Sequence, residues 1–96
     1  MNKDERIELY KLAIEKWGDV SQMDMCIEEC AELIKAINKL KRNPSVTSIS
    51  DLCGEIADVE IMCEQLRCML NKNDYIDNYK VVKLLRLQNI LNTTNQ

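Results

Sequence analysis

Apolar residues recur every three or four positions along most of the chain, which is the spacing of one face of an α-helix. The pattern predicts an all-α protein whose helices are separated by short polar breaks. The predicted helices cover residues 4–17, 22–41, 51–70 and 75–91.

Polar and turn-forming residues mark where these helices end and begin. Gly18 is a typical helix stop, and Ser21 is the expected N-cap of the second helix. Pro44 opens a Ser-rich loop in which Ser48 or Ser50 is expected to cap the third helix. Because this loop is short, the second and third helices should return as an antiparallel pair.

The third predicted helix is apolar on two sides, which is typical of a helix at the centre of a bundle or at a subunit interface. We therefore expect a four-helix antiparallel bundle that is completed by oligomerisation. The bundle should form one domain over residues 1–96, with residues 92–96 as a disordered polar tail. Four residues form the apolar face of the first helix: Ile7, Tyr10, Ile14 and Trp17.

Composition narrows the classes of partner. A net charge of −3 and only four aromatic residues argue against binding to a nucleic-acid polymer. No apolar run approaches the length of a membrane span, and the N-terminus lacks a signal-peptide pattern. We expect a cytoplasmic protein without a membrane partner.

The five cysteines do not form a metal or disulfide pattern. Their number is odd, no two have the CxxC spacing, and there is no histidine to complete a zinc site. We expect reduced thiols in or near the core: Cys26, Cys30, Cys53, Cys63 and Cys68.

Two acidic stretches carry the strongest chemical signal. The first contains Glu28, Glu29 and Glu32, and the second contains Glu55 and Asp58. Helix geometry turns Glu29 and Glu55 toward the apolar arcs of their helices and leaves Glu28 on the polar face. Because an isolated buried carboxylate is unfavourable, such groups are usually protonated, paired or bound to a metal.

Carboxylate clusters on facing helices suit Mg²⁺, with Mn²⁺ as an alternative, and such ions commonly serve phosphorylated substrates. A di-iron site would require histidines, which the chain lacks. Two other interpretations stay open. The acids could be ordinary surface charges, and Lys35 and Lys39 could form a solvated face instead of contacting phosphates.

The acidic pattern resembles a known family signature. Glu-Glu-x-x-Glu, 22 intervening residues and Glu-x-x-Asp are similar to the motif of MazG-like nucleotide pyrophosphohydrolases, in the all-α NTP pyrophosphatase superfamily. The resemblance covers about residues 7–90. Flanking segments similar to those of short, phage-type members are Lys16-Trp17-Gly18, Gln22, Ala31-Glu32-Leu33 and Lys83-x-x-Arg86-Leu87.

The resemblance implies Mg²⁺-dependent cleavage of a nucleoside triphosphate between its α and β phosphates. It implies that Glu29, Glu32, Glu55 and Asp58 bind the metal, with Glu29 or Glu32 also activating water. Glu28 would support the site without binding the ion.

The resemblance also suggests how substrate is held. Lys83 and Arg86, from the same or a neighbouring subunit, would meet the phosphates. Trp17 and Gln22 are candidates for the base and sugar, although Trp17 fits the apolar face of the first helix and is expected in the core.

The family implies a homodimer or homotetramer. Alternatives are a non-catalytic helical oligomerisation or regulatory module, or the same chemistry on phosphoribosyl-ATP or a nucleoside diphosphate.

Overall fold

The computed structural model describes the backbone of residues 1–94 and the side chains of residues 1–93. Four helices make up nearly all of this part of the chain, which contains no strand, so the all-α prediction is confirmed. None of these helices is both long and apolar enough to cross a membrane. The helices are α1, Lys3–Trp17; α2, Asp19–Arg42; α3, Val46–Leu70; and α4, Asn73–Thr94.

Gly18 alone joins α1 to α2. Its φ of +89° is in the region that favours glycine, and its N–H donates to the carbonyl of Ile14 to close α1. The second helix starts at the next residue, Asp19, so the predicted cap at Ser21 is wrong. The second helix therefore begins directly after this single glycine, which leaves no room for a separate turn.

The third helix starts at Val46, five residues before the predicted start at Asp51. Ser45 is its cap, and Ser48 is the third helical residue of the same capping box. The Ser45 hydroxyl accepts from the Ser48 N–H at 3.0 Å, and the Ser48 hydroxyl accepts from the Ser45 N–H at 2.9 Å. The predicted caps at Ser48 and Ser50 are therefore wrong, because Ser45, the residue directly after Pro44, already caps the helix.

The second and third helices pack as an antiparallel pair. Gln22, early in α2, bonds Gln65, late in α3, and Lys39, late in α2, pairs with Asp51, early in α3. The residues facing the partner helix recur at alternating steps of three and four, as in a coiled coil. This seam consists of Gln22, Cys26, Glu29, Leu33, Ala36 and Leu40 on α2 and Ser48, Leu52, Glu55, Val59, Met62, Leu66 and Met69 on α3.

The first helix packs on one side of this pair. Tyr10 is buried there, and its hydroxyl donates to a carboxylate oxygen of Glu64. Burial and then the Glu64 carboxylate raise the pKa of Tyr10. Ile7 and Ile14 are half-buried on the same face. The predicted apolar face of α1 is confirmed for these three residues.

The fourth helix does not complete a bundle within the chain. In the described residues its backbone approaches only α3, where Arg67 pairs with Asp77 at 3.0 Å. The radius of gyration is 16.7 Å, whereas a compact domain of this length has about 12–13 Å. Among the described residues α4 packs against neither α1 nor α2, so a single chain does not close the predicted bundle, and its completion by oligomerisation stays a prediction. The helix reaches Thr94, inside the predicted tail, and residues 95–96 lie outside the described part.

The cysteines are free, and their burial is uneven. Cys26 is buried and Cys68 is half-buried, while Cys30, Cys53 and Cys63 are exposed. The prediction of core or near-core thiols therefore holds for two of the five. Burial, followed by the nearby Cys30 and Cys63 thiols, raises the pKa of Cys26.

The Gln22–Gln65 pair gives a test of the packing between α2 and α3. Both amides are buried, and Gln22 Nε2 donates to Gln65 Oε1 at 2.6 Å. Gln22→Leu leaves the Gln65 amide without this partner, so unfolding in urea should show a loss of about 1–3 kcal/mol. The double variant with Gln65→Leu removes both polar groups and should recover most of that loss. A double variant less stable than either single variant would contradict this account.

Candidate metal centre

Three carboxylates from the two paired helices converge at the seam. Glu29 comes from α2, and Glu55 and Asp58 come from α3. One carboxylate oxygen of each lies within 4.8 Å of the other two. The antiparallel pairing brings them together, because it places the middle of α2 beside the first half of α3.

Ionisation of all three carboxylates in this cluster is unfavourable without a counter-charge. Glu29 is half-buried, and partial burial, followed by the charges of Asp58 and Glu55, raises its pKa. Glu55 is also half-buried, and its Oε2 is buried without a hydrogen-bond partner among the described residues. Such an atom is normally satisfied by a donor, a water or a cation. The predicted inward placement of Glu29 and Glu55 is confirmed.

The donor set fits a hard divalent cation. Mg²⁺ takes oxygen ligands at about 2.0–2.1 Å and retains several waters. Oxygens on opposite sides of such an ion are thus about 4 Å apart, close to the spread of this cluster. Glu29, Glu55 and Asp58 are therefore the residues that would hold such an ion.

A groove of about 400 Å³ opens beside the cluster, between α2 and α3. This volume lies in the usual range for small-molecule sites. Lys35 and Lys39 line it, and Lys39 Nζ pairs with Asp51 at 3.2 Å. Both partners of that pair are about half exposed, so the bond is weak and the ammonium can exchange it for another anion.

The other two acids of the predicted motif have different positions. Glu32 lines the groove and contributes to the raised pKa of Glu29, yet it lies outside the three-carboxylate cluster. Glu28 is exposed and belongs to neither the cluster nor the groove lining. The structure therefore unites three of the four predicted ligands.

Several predicted substrate contacts lie elsewhere. Lys83 and Arg86 are exposed on α4, and the described groove lining comes only from α2 and α3. Gln22 is buried against Gln65. Trp17 is 57% exposed, with the Lys16 ammonium 5.5 Å from its ring, so its predicted core position is wrong. Trp17 is the last residue of α1, and most of its indole stays uncovered there although it fits the apolar spacing of the helix.

Four residues that line the groove were not among the predicted site residues: Ala36, Ser50, Asp51 and Gly54. Asp51 holds Lys39, and Gly54 lines the groove with open space where a Cβ would stand. A glycine inside a helix is a detectable signal, because it destabilises the helix by about 1 kcal/mol relative to alanine. Asp51 gave no such signal, since it falls in a segment that the sequence assigned to a helix start.

Comparison of the chain with known proteins finds no matching family model, no matching curated protein and no matching solved structure. The chemistry of the site therefore has to be argued from its own residues.

Proposed function

We propose that the protein is a Mg²⁺-dependent nucleoside triphosphate pyrophosphohydrolase of MazG-like type. The observation that carries the proposal is the convergence of Glu29, Glu55 and Asp58, with a buried, unpartnered oxygen on Glu55. Three converging acids would repel one another without a cation, and a cation of this kind commonly serves phosphate chemistry.

The proposed reaction adds water to the α-phosphorus of a nucleoside triphosphate. The bond from that phosphorus to the bridging oxygen breaks, which gives a nucleoside monophosphate, pyrophosphate and a proton. Bound Mg²⁺ would neutralise phosphate oxygens and orient the attacking water. Glu29, Glu55 and Asp58 would hold the ion at the mouth of the groove.

The groove residues supply the remaining roles. Lys35 and Lys39 would pair with the phosphates that extend along the groove, with Lys39 leaving Asp51 to do so. Glu29 and Glu32 were the candidate bases from sequence. Glu32 is the better one, because it lines the groove outside the cluster and could take a proton without giving up a metal ligand.

A substrate panel tests this proposal. Canonical and modified ribo- and deoxyribonucleoside triphosphates are incubated with the protein and Mg²⁺, and pyrophosphate and monophosphate are quantified. We expect the two products in equal amounts from at least one substrate and none with a chelator present. Phosphoribosyl-ATP and nucleoside diphosphates extend the panel to the same chemistry on other substrates. If none of these compounds yields pyrophosphate or a monophosphate, the proposal is overturned.

A non-catalytic oligomerisation or regulatory module is the second candidate, and the exposed apolar surface of the single chain favours it. It predicts that Mg²⁺ removal leaves the protein unchanged. In both candidates we propose that the working form is a homodimer or homotetramer.

A further inference from the structure

The groove beside the metal centre is charged at both ends. At one end Asp58 belongs to the carboxylate cluster, and at the other Lys39 pairs with Asp51 at 3.2 Å. Because Asp51 and Asp58 are seven positions apart on α3, these ends are separated by about 10 Å along the helix. Lys35 lines the groove on the α2 side. With a cation at the cluster, the groove would suit an elongated anion.

The middle of the groove is lined by small residues. Gly54 lies three positions after Asp51 and four before Asp58, so it shares their side of α3. The backbone does not require this glycine, since Gly18 is the glycine with a positive φ, and nothing lies within 4 Å of a Cβ built at Gly54. Glycine destabilises a helix interior. What Gly54 provides in return, together with Ala36, is room for a ligand to lie close to the helices.

The groove lacks the side chains that usually recognise a nucleobase. Bases are typically stacked on aromatic rings and hydrogen-bonded at their edges by polar side chains. In the described lining, Ser50 is the one uncharged polar residue, and no aromatic or amide side chain is present. The two candidates from sequence lie elsewhere, because Trp17 is not part of the lining and Gln22 is bonded to Gln65. Recognition in this groove is therefore directed at charge.

We propose that the groove binds a phosphate chain without contacting a nucleoside, so that inorganic tripolyphosphate is a ligand in its own right. This inference rests on the proposed function, from which it takes the bound ion. Glu29, Glu55 and Asp58 would hold Mg²⁺ at one end, and Lys35 and Lys39 would pair with phosphate oxygens toward the other. The base and sugar of a nucleotide would extend out of the groove.

Binding measurements test the proposal without turnover. Isothermal titration calorimetry is performed with inorganic tripolyphosphate and with the α,β-methylene analogues of ATP, GTP, CTP and UTP, with Mg²⁺ kept in excess over the phosphates. All five dissociation constants are expected to agree within about tenfold, because the contacts that set them are shared. Tripolyphosphate binding that is weaker than this, or a larger preference for one base, would overturn the proposal.

A lysine variant tests whether the ligand lies in the groove. Lys39→Gln should weaken tripolyphosphate binding by at least about fivefold, since it removes one ion pair with the phosphates. Lys41→Gln is the matched control, because Lys41 is exposed on the same helix and does not line the groove. This control should bind like the wild type. Equal weakening in the two variants would indicate attraction to charge in general and would contradict the proposal.

A glycine variant separates ligand contact from folding. Gly54→Leu should unfold at a higher urea concentration than the wild type, because leucine favours a helix more than glycine does. It should also bind tripolyphosphate at least about tenfold more weakly, because the added side chain occupies the middle of the groove. Ala57→Leu, at an exposed α3 position outside the lining, should bind normally. Normal binding by Gly54→Leu would place the ligand elsewhere.

Failure of this inference and failure of the proposed function give different results. Hydrolysis of a nucleotide without binding of tripolyphosphate would overturn the inference and leave the function standing. Binding of tripolyphosphate that depends on Lys39 and Gly54, without hydrolysis of any compound in the substrate panel, would support the inference and overturn the function.

Discussion

Replacement of Glu29 by glutamine is expected to reduce kcat/KM for pyrophosphate release by at least about a hundredfold, since loss of a direct metal ligand should exceed the 10- to 100-fold effect of losing a supporting residue. The substitution preserves shape and removes one of the three converging charges. Without metal, the variant should unfold at a higher urea concentration than the wild type, because partial burial and the charges of Asp58 and Glu55 already disfavour an ionised Glu29.

The adjacent residue provides the control. Glu28 has the same side chain and is exposed outside the cluster, so Glu28→Gln should retain activity within about threefold of the wild type. Steady-state kinetics and urea unfolding of both variants separate a role at the site from a general effect of charge on α2. Equal activity of Glu29→Gln and the wild type would remove the catalytic proposal.

Mg²⁺ is expected to stabilise the folded protein strongly, even without substrate. At a hundred times its dissociation constant, a ligand that binds only the folded state adds about 2.7 kcal/mol. For a domain of this size that corresponds to a rise in Tm of roughly 10–20 °C. Thermal unfolding followed by circular dichroism at fixed protein concentration measures the shift, with NaCl of equal ionic strength as the reference.

The same experiment identifies the ligands. Glu55→Gln should lose most of the Mg²⁺-dependent rise in Tm, because it removes the carboxylate whose Oε2 has no other partner among the described residues. Asp51→Asn is the matched control, since Asp51 lies in the same groove and pairs with Lys39 instead of joining the cluster. An equal rise in the wild type and in Glu55→Gln would place the bound Mg²⁺ elsewhere and leave the non-catalytic module as the better candidate.

The sequence predicted the helices more accurately than their ends. The three–four spacing of apolar residues indicated all four helices, because residues on one face of a helix recur with that period. The starts of α2 and α3 were placed three and five residues late. Those starts depend on the conformation of Gly18 and on the reciprocal bonds of Ser45 and Ser48, which several neighbouring polar residues could equally have provided.

The same spacing predicted part of the candidate site. Glu29 and Glu55 fell on apolar arcs, and this local argument was correct since the angle of a residue around its own helix depends only on its position. The separation of Glu32 from the cluster could not be read this way. It depends on the offset at which α3 lies beside α2, and helix periodicity does not fix that offset.

The sequence by itself determined which acids of the motif turn inward on each helix, because the direction of a side chain follows from its position in the helical period. Only the tertiary structure decided which of them meet. The antiparallel pairing, anchored by Gln22–Gln65 and Lys39–Asp51, joins Glu29 to Glu55 and Asp58 and leaves Glu32 in the groove. The tertiary structure also decided that Lys83 and Arg86 lie on α4, which contacts only α3 among the described residues, because the direction of a helix after a turn depends on long-range packing and not on local spacing.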